Sequence, residues 1–300
     1  MARRKKGRDI HGIVLLDKRQ GVSSNKALQE VKRLYNANKA GHTGSLDPLA
    51  TGLLPICLGE ATKASAYMLA DDKQYQTVIQ LGLMTDTGDI EGAVIEEKVV
   101  PDISQEQLEA CLSSFVGEIE QVPPMYSALK IKGKKLYELA RAGITVERKA
   151  RNITIYAITC IDFKENLLTL EVRCSKGTYI RTLAEDIGHK LGCGGTVKAL
   201  RRTAAGQFSL TSAYTIEALQ SMTPETAMHI MLAVDQPLQV FPAMHVSQFE
   251  ADLVRQGQKI ASQFSGEHQG MCRLYHDKQF LGLGEILMDD KIQPRKLFKL

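Results

Sequence analysis

The side chains best placed to do chemistry lie in Gly41-His42-Thr43-Gly44-Ser45-Leu46-Asp47-Pro48-Leu49-Ala50-Thr51-Gly52. An imidazole and a carboxylate stand five residues apart among glycines, a proline and hydroxyl side chains. That composition disfavours a long helix or buried strand. Both groups are therefore expected on irregular backbone, where binding and catalytic residues concentrate. An ionised aspartate held there can act as a nucleophile. The plainer reading is a turn in which Asp47 bonds its own backbone ahead of Pro48. Residue types alone lean towards the turn.

Other chemistries find less support. The six cysteines (57, 111, 160, 174, 193 and 272) form no C-x-x-C pair and read as reduced thiols, not a disulfide frame or zinc site. The seven histidines show no ligand spacing. There is neither a Walker loop nor a dinucleotide fingerprint, and Gly192-Cys193-Gly194-Gly195 reads as a helix stop and turn. Thr85-Asp86-Thr87-Gly88-Asp89 has a calcium-like composition without the matching loop, so a solvated turn is expected. No apolar run reaches membrane-spanning length.

With 38 basic and 34 acidic residues the net charge is only +4, so a nucleic-acid partner must be argued from local clustering. Residues 1–9 hold five bases with no apolar core behind them, a basic flexible tail and not a secretory signal. From Lys130 to Arg151 eight bases stand against two acids, with Tyr126 and Tyr137 interleaved nearby. That pattern suits a strand tracking phosphates and suits a solvated basic face equally well.

The elements that must position these groups follow from periodicity. Strands are expected over 12–16, 53–58, 73–81, 152–163 and 167–174. Helices are expected over about 25–35, capped by Ser23 or Ser24, over about 60–70, and after the Ser104/Gln107 capping box. A further helix should run from about 180 to Gly192. Pro237 and Pro242 mark a boundary. Beyond it come a short helix stopped by Gly257 and short strands around Gly282-Leu283-Gly284.

The first stretch resembles, at every fixed position, the catalytic loop of the TruB family of tRNA pseudouridine synthases, G-H-T-G-x-L-D-P-x-A-T-G. Pro123-Pro124-Met125-Tyr126-Ser127-Ala128-Leu129-Lys130 and Cys174-Ser175-Lys176-Gly177-Thr178-Tyr179-Ile180-Arg181 resemble two further motifs of that family, in order and spacing. The resemblance implies that Asp47 is the nucleophile and that Arg181 pairs with it, favouring its charged form. It implies that His42 enters the RNA loop as the target base leaves. Tyr75, within Lys73-x-Tyr75, would stack on the flipped uridine, Tyr179 would lie against it, and Leu200 would line the pocket. Lys18 and Lys130 complete the substrate-binding set. The family usually has Lys-Pro where this chain has Lys18-Arg19, which keeps the lysine and loses a rigid turn.

The implied architecture is α+β: a pseudouridine synthase fold with a bent, mixed, mainly antiparallel sheet and a central cleft over 10–243. An RNA-clamping insertion at about 123–151 and a small PUA-like β-barrel over 244–300 go with it. The implied reaction is isomerisation of uridine 55 in the T-loop of tRNA by a cytoplasmic enzyme needing neither metal nor redox cofactor. The partner would be the T-arm stem-loop, with no membrane and no obligate protein partner, and nothing demands more than a monomer. A different class of function also stands: an RNA-binding or tRNA-folding module whose main role is non-catalytic. An Asp/His hydrolase is a poor third, because no second carboxylate or metal set accompanies the loop.

Overall fold

The computed structural model describes residues 7–131, 133–263 and 269–300. Arg3, Arg4, Lys5 and Lys6 of the basic tail, and Lys132 of the basic stretch, lie outside the described residues. Nine strands form the main sheet, along a path Gly12–Lys18, Thr51–Leu58, Gly195–Ala205, Lys73–Leu81, Leu167–Cys174, Arg151–Lys164 and Gly117–Gln121. Ala40–His42 and Phe208–Ser209 pair at its flanks. Every pairing is antiparallel except one. Gly195–Ala205 meets Thr51–Leu58 in parallel through only two pairs, Arg201↔Thr51 and Arg202↔Gly52. The sheet is thus two plates joined by a short seam. Gly52 makes the seam possible: its φ is +98°, and a Cβ there would stand 2.3 Å from the Arg202 carbonyl oxygen.

The two plates are buried differently, and the sequence pattern shows why. In Gly12–Lys18, Val14 and Leu16 face the main core while Ile13 and Leu15 face a second one. Thr51–Leu58 divides in the same way, with Leu54, Ile56 and Leu58 on one side and Leu53 and Cys57 on the other. Both faces are covered, so the runs are continuously apolar. Leu167–Cys174 instead alternates, with Leu168, Leu170, Val172 and Cys174 buried and Glu171 and Arg173 exposed. Pro55 is tolerated inside its strand because it falls between the two-residue seam and the three pairs with Ala40–His42.

Helix Ser24–Leu34 is capped by Ser23, whose Oγ accepts from the Lys26 N–H at 3.2 Å. Helix Gln105–Ser113 carries the expected Ser104/Gln107 capping box, and Ile180–Lys190 ends at Gly192 with φ +85°. The single helix expected over 60–70 is instead a 3-10 turn, Gly59–Lys63, followed by Ser65–Leu69. Thr62 and Ser65 turn their hydroxyls back onto the carbonyls of Gly59 and Thr62, at 2.8 and 2.7 Å, and break the ladder. The 123–151 stretch is no phosphate-tracking strand. It holds the hairpin Lys130–Ile131 with Lys134–Lys135, the helix Leu136–Arg141, and irregular backbone. No described helix is long and apolar enough to cross a membrane.

The C-terminal sheet runs Ala243–His245, Gly270–His276, Gln279–Ile286, Lys291–Leu297 and Ile260–Ala261. The expected barrel is only a half-barrel among the described residues. Its outer strands, three and two residues long, are too short to close on each other. Met244, Leu274 and Ile292 pack with Ala251 and Val254 of helix Gln248–Arg255 on one side. Phe280, Leu283 and Phe298 join Ile13, Leu15 and Leu53 on the other, so this sheet packs on the back of the first plate.

Candidate active site

His42 is not on irregular backbone as expected: it ends the Ala40–His42 strand, opposite Ile56. The chain then leaves the sheet for eight residues, returns at Thr51, and carries Asp47 at the tip of that excursion. The loop is stapled from several sides. Leu46, Leu49 and Ala50 are buried in the main core. Ser24 Oγ accepts from the Leu46 N–H at 2.7 Å and donates to the Leu46 carbonyl at 2.9 Å. The Gly21 N–H donates to the Pro48 carbonyl at 2.9 Å. Asp47 is left with its side chain 43 % exposed.

Lys18, expected to bind substrate, is 1 % exposed. Its Nζ donates to the carbonyls of Val22 at 2.8 Å, Arg19 at 3.0 Å and Pro48 at 3.4 Å. Burial lowers its pKa to about 8, against the pull of Asp47.

Arg181, in the first turn of helix Ile180–Lys190, is 5 % exposed. Its Nε lies 3.0 Å from Asp47 Oδ2. Nη1 donates to the Thr87 carbonyl and Nη2 to the Tyr126 carbonyl, each at 2.6 Å. Asp89 Oδ2 stands 3.7 Å from Nη1, so the guanidinium is shared by two carboxylates. The turn expected to be solvated therefore contributes a buried acid. Thr87 Oγ1 and the Glu91 N–H fix its other oxygen, at 2.8 and 3.2 Å.

Electrostatics at Asp47 are a contest. Burial pushes the carboxyl above its ordinary value, Arg181 pulls it down as expected, Asp89 pushes it up and Lys18 pulls it down. The net direction is upward. Burial, then Arg202, lowers the His42 imidazole, whose buried Nδ1 has no hydrogen-bond partner among the described residues.

The remaining expected residues fall into two groups. Tyr75, 9 % exposed, stands directly opposite Arg202 across the strand pair, and Leu200 lies opposite Thr77 on the same two strands. Tyr179 precedes the Arg181 helix, and both of its backbone groups are held by Gln121: its N–H donates at 2.8 Å and its carbonyl accepts at 3.0 Å. Lys130 stands apart, exposed on its hairpin. Asp89, Gln121 and Arg202 were not singled out by sequence. The one signal for Arg202 was an arginine at a core-facing position of a strand, two residues after Leu200. The assembly can present an aspartate to a bound group from a fixed, cation-lined floor, with the phenols of Tyr75 and Tyr179 within reach of its charge.

Three family models match in succession: the N-terminal domain of TruB family pseudouridylate synthases over residues 32–180, the tRNA pseudouridylate synthase B C-terminal domain over 181–239, and the pseudouridine synthase II TruB C-terminal region over 242–298. The tRNA pseudouridine synthase B of Chromohalobacter salexigens is 51 % identical over 298 residues, covering 99 % of this chain and 97 % of that one. That of Nitrosococcus oceani is 50 % identical over 299 residues, covering 98 % and 97 %. Among solved structures, the archaeal box H/ACA sRNP Nop10-Cbf5 complex matches with a TM-score of 0.72 at 21 % identity, covering 100 % of this chain and 93 % of that one. An H/ACA RNP bound to a substrate RNA containing 2′-deoxyuridine gives 0.73 at 21 %, covering 100 % and 92 %. At that identity the likeness speaks for the fold. With half of all positions shared along nearly the whole length of its relatives, and the loop of Asp47 held within that frame, the chain belongs to the TruB family of pseudouridylate synthases.

Proposed function

We propose that the chain isomerises uridine to pseudouridine in tRNA, at uridine 55 of the T-loop. The observation that carries the reading is the Asp47–Arg181 pair, 3.0 Å apart at an otherwise buried site. In the reaction the bond from ribose C1′ to uracil N1 breaks, the ring turns, and a bond from C1′ to C5 forms. The C5 proton is lost and N1 ends protonated, so composition is unchanged. Asp47 supplies the reacting carboxylate, and Arg181 and Lys18 hold it ionised against burial. A base stacked in an RNA arm must first leave its stack, at a cost of a few kcal/mol. His42 offsets this by entering the gap, and Tyr75 receives the base by stacking, worth about 1–3 kcal/mol. Tyr179 and Leu200 complete the pocket, and Lys18 acts through the Pro48 carbonyl. We assign residues 10–243 to catalysis, 123–151 with Lys130 to clamping the T-arm, and 244–300 to further RNA contact. The setting is cytoplasmic, with no obligate protein partner.

The test is base-resolved pseudouridine mapping on an unmodified tRNA transcript. Wild type should modify the T-loop uridine, while Asp47→Asn should fall below about one thousandth of that rate with RNA affinity retained. Substantial turnover by the pure variant would remove Asp47 from its role. The exposed lysines of the 130–149 region favour one second reading, a non-catalytic RNA-binding or folding module. It moves to first place if both proteins bind the transcript and neither modifies it.

A further inference from the structure

The two plates of the main sheet meet through Arg201↔Thr51 and Arg202↔Gly52, and the two arginines behave oppositely there. Arg201 keeps its side chain 40 % exposed and ends in an ordinary ion pair, Nη2 at 2.6 Å from Asp17 Oδ2. Arg202 is 1 % exposed, and no carboxylate of the described residues comes within 4.0 Å of its guanidinium. Besides the Tyr75 hydroxyl, with which it also interacts, its partners are backbone. Nε donates to the Leu53 carbonyl at 2.7 Å and Nη2 to the Gly44 carbonyl at 3.1 Å.

Those two carbonyls lie on either side of Asp47, that of Gly44 near the start of the loop that carries it and that of Leu53 in the strand to which the loop returns. Arg202 itself belongs to the other plate, beside Tyr75. Burying a guanidinium with no counter-ion costs several kcal/mol, and an apolar side chain of similar volume would fill the space at less cost. A guanidinium, however, holds two carbonyls from separate nitrogens fixed in one plane; an apolar side chain cannot do so, and a lysine donates from a single nitrogen on a flexible stem and does not reproduce that spacing.

We propose that Arg202 is a positioning residue for the reaction at Asp47, tying the catalytic loop to the strand that follows it across the seam so that the carboxylate is placed before RNA arrives. The proposal rests on the pseudouridylation reading above. Its charge has a second effect. After burial, it is what keeps the His42 imidazole below its ordinary pKa, and a neutral ring enters an RNA stack without taking a charge out of water.

The experiment compares wild type, Arg202→Lys, Arg202→Ala and Asp47→Asn on a T-arm stem-loop RNA. It measures Kd, the single-turnover rate at saturating protein, and the melting temperature. Both Arg202 variants should bind within about threefold of wild type and lose about thirtyfold or more in single-turnover rate, the scale of a small misplacement of reacting groups. Millimolar guanidinium should restore part of the rate to Arg202→Ala and none to Asp47→Asn. A loss that disappears at saturating protein overturns the proposal, since the defect would lie in binding. So does an absence of rescue, including the case where the variants are too unfolded to bind. Unchanged rates in the Arg202 variants beside an active wild type overturn this assignment alone. A wild type that leaves the RNA unmodified overturns the underlying reaction, and this assignment with it.

Discussion

Lys18 shows how much this site spends on charge. It is 1 % exposed, and its pKa falls from 10.5 to about 8 because burial disfavours the ammonium. Between pH 8 and 10.5 the unfolded chain therefore holds a proton that the folded chain has released. Stability due to this residue rises with pH across that window, by about 3 kcal/mol in all, and the penalty is fully present below pH 8. Urea unfolding at pH 7.5 and 10 should show wild type gaining on Lys18→Met as pH rises; parallel pH dependences would mean that Lys18 is not buried as a cation. What the sequence disclosed at this scale was uneven. Asp47, Arg181 and Tyr179 could be picked out because each sits in a contiguous motif. Asp89 and Arg202 could not, because what makes them matter is a neighbour far along the chain: Arg181 for the one, Gly44 and Leu53 for the other. Nothing local distinguishes a buried acid in a Thr-Asp-Thr-Gly-Asp turn from a solvated one.

At the level of elements, the strands were legible because burial writes itself into alternation. The doubly covered Thr51–Leu58 reads as an unbroken apolar run and the half-covered Leu167–Cys174 as a period of two. The helix after Gly59 breaks where the apolar pattern carries no signal, at the hydroxyls of Thr62 and Ser65. The basic stretch gave charge without form. It is coupled to the site through backbone: the Tyr126 carbonyl accepts from Arg181, and Gln121, just before the stretch, fixes Tyr179. Lys130, Lys134 and Lys149 remain exposed. Changing all three to Gln should weaken T-arm binding and flatten its dependence on log salt by about 2 units, at 0.7 to 0.9 per lost phosphate contact. Affinity titrations at several salt concentrations would show it, and an unchanged slope would mean these lysines do not contact phosphate.

Across the whole molecule, the half-barrel and the first plate share a core, so they should lose structure together. Phe280 is 5 % exposed and packs against Phe298, ring centroids 5.0 Å apart, inside the cluster that also holds Ile13, Leu15 and Leu53. Phe280→Ala should cost about 3–5 kcal/mol. Hydrogen exchange should lose protection in Gly12–Lys18 as well as in Gln279–Ile286; loss confined to the second would make the half-barrel an independent unit. The plates of the main sheet also share a core, but their strands are joined by only two residue pairs. Asp47 hangs from a hairpin of one plate, and Arg181 rides on the helix that follows a strand of the other. The 3.0 Å between them is therefore a gauge of the angle at the crease. Unfolding that angle would part the acid from its counter-charge with no residue changed, so the enzyme's readiness to react is a property of posture as much as of composition.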